Sequence, residues 1–412
     1  MVAVSDDGES AACLPLAVVD VVMRTYAQSQ AWYARAGVIP GRSSTRSKAP
    51  GRFYDVGAGP LYAASGDGAI LTCVDGHDYI DMLCALGAIS LGYRSIPSRV
   101  VGGVYSLPLA VEAEAAEMVL QHVAPRASQV RFTKTGSEAC HAAYRIAKAA
   151  TGRDIVLVGD WAYHGWYEWC ATPKGAGVVT YPHGFDLNDV LHQDQTAAVF
   201  IEPHRWESVN IEWLKSVRAF CDRIGALLVF DSMIYGGRWA LGGASAYFGV
   251  QPDLECFGKA LGNGEAVACV VGGEILEQHG QVASGTFSGD ATGLQALCDT
   301  VQVYTTEPVI DTLWARGRQL WAGLSEVVQA SVYHDTAHVD GNPVHLRLRF
   351  DDATLGRVFA AEMVQRAVLW HPDCVNVSYA HSKGQIDAVI RMAGESLQAM
   401  GERIQDSVRT AS

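Results

Sequence analysis

Residues 226–231 read Ala226-Leu227-Leu228-Val229-Phe230-Asp231, and residues 254–259 read Leu254-Glu255-Cys256-Phe257-Gly258-Lys259. Each is a short, mostly apolar run that ends at a charged side chain. A run of this kind, about five residues long and bounded by turn residues, suits a strand covered on both faces. Similar runs occur at Gln129–Phe132, Asp154–Val158, Gly177–Tyr181, Ala197–Ile201 and Ala266–Val271. Segments 112–123, 138–151 and 211–224 have helical spacing and lie between them. The alternation predicts an α/β fold whose large domain carries a mainly parallel, seven-stranded sheet.

Working outward, 308–333 and 385–406 read as amphipathic helices, and Pro343–Phe350 alternates as a half-buried strand. They predict a small α+β domain. On the other side, 15–36 has helical spacing. Ala69–Val74 and Tyr79–Met82 read as strands joined at Asp75-Gly76, a hairpin turn. Between these, residues 40–52 carry Arg42, Arg46, Lys48 and Arg52 among small polar residues and read as a loop able to meet an anionic group. The expected organisation is an N-terminal segment over 1–80, a large domain over 81–300 and a C-terminal small domain over 301–412.

Composition narrows the function. The 412 residues include 31 Lys and Arg against 44 Asp and Glu, a formal net charge of −13. With 49% hydrophobic and 18% charged residues, the chain is neither a disordered protein nor a basic partner for nucleic acid or a membrane surface. The ten cysteines form no CxxC and keep no metal-ligand spacing with histidine, so no metal site is expected. The acidic opening, Met1–Ser10, differs from a signal peptide, and no apolar stretch reaches the roughly 18 residues of a membrane span. A cytoplasmic location is the expectation.

In a parallel α/β sheet, ligands bind beyond the carboxyl ends of the strands. Asp231 and Lys259 fall there. So do Thr135-Gly136-Ser137-Glu138, which opens a helix, and Tyr163-His164-Gly165 after the run 154–158. Singly, each has a plainer reading: a capping Asp, a surface lysine, an ordinary helix cap. Together they supply an amine for a Schiff base, an acid for a pyridinium nitrogen, N–H groups for a phosphate and a ring for stacking. Those are the needs of pyridoxal 5′-phosphate.

From about Pro60 onward the sequence resembles the class III, fold-type I pyridoxal-phosphate-dependent aminotransferases, nearest the glutamate-1-semialdehyde aminomutase branch. The resemblance rests on Val74-Asp75-Gly76-His77-Asp78-Tyr79-Ile80-Asp81, Leu91-Gly92, Gly136-Ser137-Glu138-Ala139, Tyr163-His164-Gly165, Glu202-Pro203, Gly225–Asp231, Gly258–Gly264 and Gly285-Thr286-Phe287-Ser288-Gly289, in that order. It implies a homodimeric enzyme that moves an amino group between an amino donor and a carbonyl acceptor. Lys259 would hold the cofactor and shuttle the proton, and Asp231 would keep the ring nitrogen protonated. Gly136 and Ser137 would hold the phosphate, with Tyr163 and Met233 on the two ring faces and His164 and Glu202 nearby. Thr286 would reach the phosphate in the neighbouring subunit.

Departures from the family pattern cluster where a substrate would lie. The usual Asp-Glu-Val reads Asp231-Ser232-Met233, so the second acid is missing. The segment after Glu202-Pro203 reads His204-Arg205-Trp206-Glu207, and an aromatic residue before Gly87 is replaced by Leu86. Arg46, Glu207 and Arg238 are candidate substrate contacts, Arg238 with a structural ion pair as its alternative. Glu207 and Asp290 would favour a cationic partner such as an aminosugar. An aminomutase, an epimerase or an eliminating enzyme uses the same Lys259 and Asp231. A non-catalytic relative is disfavoured by the presence of both, and a nucleotide-binding enzyme by the lack of any GxGxxG or Walker pattern after a strand.

Overall fold

The computed structural model describes residues 24–94, 103–171, 175–182, 184–203 and 210–411. Three strands come first, β1 (Ala63–Asp67), β2 (Ile70–Cys73) and β3 (Asp78–Asp81). Seven follow: β4 (Gln129–Thr133), β5 (Ile155–Gly159), β6 (Val178–Tyr181), β7 (Thr196–Ile201), β8 (Leu227–Asp231), β9 (Leu254–Phe257) and β10 (Ala268–Gly272). These seven form one sheet in the order β4-β10-β9-β8-β7-β5-β6. Neighbours from β6 to β9 are parallel, and β10 alone runs antiparallel, to both β9 and β4. The carboxyl ends of β4, β5, β7, β8 and β9 therefore share one edge. Every residue of β7 and β8 is buried, as unbroken apolar strands between two helical layers must be.

The principal helices are α1 (Ala27–Arg35), α2 (Ala110–Met118), α3 (Gly136–Thr151), α4 (Ile211–Ile224), α5 (Ala291–Thr306), α6 (Val309–Gln329), α7 (Ala353–Gln365) and α8 (Lys383–Ala411). Local chemistry sets their ends. Thr135 and Glu138 form a reciprocal capping box at the start of α3, and Gly152 closes it in the left-handed region at φ 68°. Asn210 caps α4 with its side chain and Gly225 ends it at φ 67°. The expectation for 112–123 changes in detail: α2 gives way to a π-helical turn over Val119–Val123. Of the segment 15–36, residues 15–23 lie outside the described residues, and α1 forms within the rest.

The remaining strands are β11 (Ala337–Asn342), β12 (His345–Phe350), β13 (Val368–Leu369) and β14 (Val375–Asn376). β11, β12 and β14 make an antiparallel sheet, and β13 pairs in parallel with β3 to complete a sheet β1-β2-β3-β13. Leu320 and Leu324 of α6, Phe359 and Met363 of α7 and Ile386 and Leu397 of α8 share one core with Leu346 and Leu348 of β12. No described helix is long and apolar enough to cross a membrane.

Candidate active site

Interlocking glycines draw the strand ends together. A Cβ on Gly136 would sit 2.7 Å from Met233 Sδ, and one on Gly258 would sit 2.9 Å from the same sulfur. Met233 therefore fills the gap between the first turn of α3 and the residue before Lys259. Gly165, at φ +107°, comes so close to Ser137 that a Cβ would lie 2.5 Å from its Oγ. Only glycine permits this approach. The free N–H groups and positive dipole of the α3 N-terminus open beside Gly136 and Ser137.

Asp231 ends β8 and is buried. Its Oδ2 accepts two donors, the His164 ring through Nδ1 at 2.8 Å and the Cys140 thiol at 3.3 Å. Its Oδ1 accepts the Met233 N–H at 3.1 Å. Burial works to raise the Asp231 pKa. The bond and charge of His164, then the Met233 N–H and Cys140, outweigh it and hold the carboxyl below the usual carboxylate range. His164 Nε2 is buried with no partner among the described residues, and the imidazole packs parallel to Trp169. Cys140 Sγ, His164 Nδ1 and an Asp231 oxygen lie within 4.8 Å of one another, close enough to ligate an ion. Their hydrogen bonds to one another account for that spacing. Cys140 carried no signal in the sequence beyond its place one helical turn after Gly136, on the inner side of α3.

Lys259 is half-buried and has a left-handed backbone, φ 48°. Asn263, at φ 43°, accepts the N–H groups of Ser90 and Leu91 at 3.0 and 2.9 Å and donates to the Gly92 carbonyl at 3.1 Å. These bonds dock the lysine loop on the segment 84–92. There Cys84, Ala85, Leu86 and Gly87 are all left-handed, at φ 50°, 50°, 61° and 84°. Three consecutive L-residues in that region cost roughly 1–2 kcal/mol each, strain of the kind that collects at functional sites. Leu86, one of the departures noted in the sequence, lies inside this turn.

The profile of the class-III aminotransferases matches residues 185–342. The glutamate-1-semialdehyde 2,1-aminomutase of Natronomonas pharaonis is 34% identical over 341 residues, 73% of this chain and 75% of the relative. The chain belongs to the class-III aminotransferases. The 3-aminobutyryl-CoA aminotransferase of Cloacimonas acidaminovorans is 31% identical over 303 residues, 66% of this chain and 72% of that protein. The pyridoxal-phosphate form of the FumI protein of Sphingopyxis sp. MTA144 superposes with a TM-score of 0.84 at 26% identity, covering 92% of this chain and 97% of that one. This aminotransferase is a fold-type I enzyme, and its cofactor is pyridoxal 5′-phosphate. The residues present fit that group: an ionised acid with one oxygen lightly bonded, a helix N-terminus at a glycine cradle, and a lysine at the next strand end.

The other predicted residues divide. Glu202 is buried, and its Oε2 accepts the Tyr163 N–H at 2.9 Å. Tyr163 itself is 60% exposed, Trp166 is 73% exposed, and Thr286 lies on the surface. Arg238 does not join the site. It is 1% exposed and makes four hydrogen bonds of 2.9–3.2 Å to the carbonyls of Gly87, Ile89 and Val377, so it braces the strained turn rather than a substrate or an ion pair. Asp290 pairs with Lys134 at 2.8 Å and caps α5 through Gly293, so its charge is already matched. Arg46 is exposed in a 3₁₀ turn with Lys48. Lys48 shares the wall of a cavity of about 260 Å³ with Phe53, Tyr54, Tyr62 and Tyr93. Glu207 and Trp206 lie outside the described residues.

His141, His371 and His381 are packed. His141 stacks on Tyr167 with centroids 4.6 Å apart. His381 is buried, with Nδ1 accepting the Ser378 N–H, and burial pushes it down to about 4. His371 meets Phe53 edge-on and is likewise pushed down to about 4.

Proposed function

We propose that this aminotransferase takes an amine that is not α to a carboxylate, and that Arg46 attracts the carboxylate or other anionic end of its substrates. The relative that acts on 3-aminobutyryl-CoA supports the first part, and the exposed basic turn supports the second. When bound, pyridoxal phosphate supplies a ring that accepts electrons from the carbon bearing the amine. The chain's own residues do the rest. Lys259 Nζ holds the cofactor and carries a proton between the two carbons flanking the nitrogen. Asp231, kept ionised by His164, Met233 N–H and Cys140, holds a proton on the ring nitrogen. Gly136, Ser137 and the α3 N-terminus bind the phosphate. Tyr163 and Met233 flank the two ring faces, and Glu202 fixes the backbone of Tyr163. In a cytoplasmic homodimer, Thr286 of each subunit completes the neighbour's phosphate site. The nine described cysteines, none of them in a disulfide, accord with a reducing compartment. The segments 1–80, 81–300 and 301–412 serve as N-terminal arm, cofactor domain and small domain.

One observation carries the role of Asp231: a buried, ionised acid whose Oδ2 is bonded by His164 at 2.8 Å at the end of β8. The test is spectroscopic. Purified protein with added cofactor should absorb in the visible, and the band should bleach on adding a β-amino acid, more slowly with α-amino acids. A protein that remains colourless with pyridoxal phosphate refutes the assignment. The glutamate-1-semialdehyde 2,1-aminomutase at 34% identity favours a second reading, transfer of the amine within one carbon skeleton. Turnover that requires no added carbonyl acceptor would establish it.

A further inference from the structure

Glu255 is a buried carboxyl that the chemistry above leaves unused. It lies within β9, paired with Phe230 of β8, immediately before Asp231 in register. Its Oε1 accepts the Ser232 hydroxyl at 2.5 Å and the Ser245 N–H at 3.2 Å. Ser232 Oγ accepts the Ala244 N–H at 2.8 Å. Gly243, at φ +66°, is held so close that a Cβ would lie 2.6 Å from Ser232 Oγ and 2.8 Å from Glu255 Oε1. A carboxyl 3% exposed is costly to keep unless its bonds do something that packing would not. These bonds grip Ser232, the one residue between Asp231 and Met233. Met233 is tied to Asp231 through its N–H, and its sulfur fills the space between Gly136 and Gly258.

We propose that Glu255 is a positioning residue: through Ser232 it holds the Asp231–Met233 turn against the cofactor, and it supplies from β9 the carboxylate that the family pattern carries at position 232. The inference rests on the cofactor roles given to Asp231 and Met233. Burial pushes the Glu255 carboxyl up to about 7, against the bonds from Ser232 and Ser245, so its charge changes near neutral pH. The titratable groups that feel its charge are the thiols of Cys256 on β9 and Cys269 on β10, both pushed up by their surroundings; Asp231, which pairs with Cys256, stands on the opposite face of the sheet. Arg126, Asp253 and Glu274 share with it the lining of a cavity of about 520 Å³. Both bonds to Oε1 favour the carboxylate, so the grip weakens as pH falls through about 7.

The test is titration of pyridoxal phosphate into cofactor-free protein between about pH 6 and pH 8, either side of the Glu255 midpoint. Glu255→Thr should weaken binding about tenfold at the upper pH, the scale of one hydrogen bond to a charged group. Ser232→Glu should also weaken it by setting two carboxyls together. The double variant Ser232→Glu/Glu255→Thr should return to within about threefold of wild type, because the pair is coupled. Glu255→Gln, nearly isosteric, should fold and lose the pH dependence that wild type shows. Unchanged affinity in Glu255→Thr, a double variant no better than the weaker single, or a Gln variant that keeps the wild-type pH profile each overturns the proposal. If wild type itself does not bind the cofactor, the underlying assignment falls first, a separate result.

Discussion

The two banks of the active site are built differently. On the cofactor bank, along the carboxyl edge of the large sheet, Asp231, Glu202 and His164 are buried and each is fixed by hydrogen bonds of 2.8–3.3 Å. On the bank proposed to meet the substrate, the turn Arg46–Lys48 is exposed. Cofactor chemistry is shared by every reaction of this class and needs fixed geometry. Substrate choice is set by loops that can vary without unfolding the sheet. Substitutions on the first bank should therefore stop the chemistry, and those on the second should shift affinity.

The largest effect belongs to Lys259. In the role proposed above Lys259 is both covalent anchor and proton carrier, so Lys259→Ala should lower kcat/KM by about a thousandfold or more. Normal steady-state turnover by this variant would dissolve the contrast, since the first bank would then lack its reactive group. A comparable loss, but of stability, is expected at Arg238, which braces the strained turn. Arg238→Met orphans the buried carbonyls of Gly87, Ile89 and Val377. At roughly 1–3 kcal/mol for each unsatisfied group, it should cost on the order of 4 kcal/mol in urea unfolding. A variant as stable as wild type would mean that the strained turn 84–87 supports itself.

These two residues also show what could be read before the structure. That Lys259, Asp231, Gly136 and Tyr163 lie along one edge was legible because each follows an apolar run, and strand ends in a parallel sheet share one edge. Arg238 has the same charge as a substrate-binding arginine, and nothing local distinguishes them; its partners lie near 87 and 377, far along the chain. The acid missing at 232 returns at Glu255 from the adjacent strand, a replacement visible only once the β8–β9 register is known. Helix α5 was also hidden. Ala291, Gly293, Leu294, Gln295, Ala296 and Leu297 are all buried, so no polar face marks its period. Gly293 is needed because a Cβ would lie 2.5 Å from the Ala266 carbonyl.

Glu255 supplies a smaller effect, with a definite sign. Its folded pKa of about 7 exceeds the ordinary 4.5, so the folded state holds the proton more tightly than the unfolded chain. The carboxyl is therefore most favourable to folding below about pH 4.5, and that contribution is lost as pH rises to about 7. The shift corresponds to on the order of 3 kcal/mol. Glu255→Gln should thus be more stable than wild type at about pH 8 while binding the cofactor no better, a separation of stability from positioning. Equal unfolding midpoints at that pH would mean that the charged form is better solvated than its burial implies.

The smallest effect tests the substrate bank alone. Arg46 is exposed, so its attraction for a carboxylate acts through water and is worth about 1 kcal/mol. Arg46→Ala should raise KM for an anionic substrate about fivefold, leaving kcat and the unfolding midpoint near wild type. Screening offers a second handle. At about 1 M salt the Debye length falls to about 3 Å, so the difference between variant and wild type should shrink. A loss of kcat instead would move Arg46 to the cofactor bank. An unchanged KM at low salt would leave the basic turn without a role in recognition, and the anionic end of the substrate would need another partner. The two arginines thus probe opposite properties of one charge: buried among carbonyls at 238 it supports the fold, and exposed at 46 it can be removed without unfolding anything.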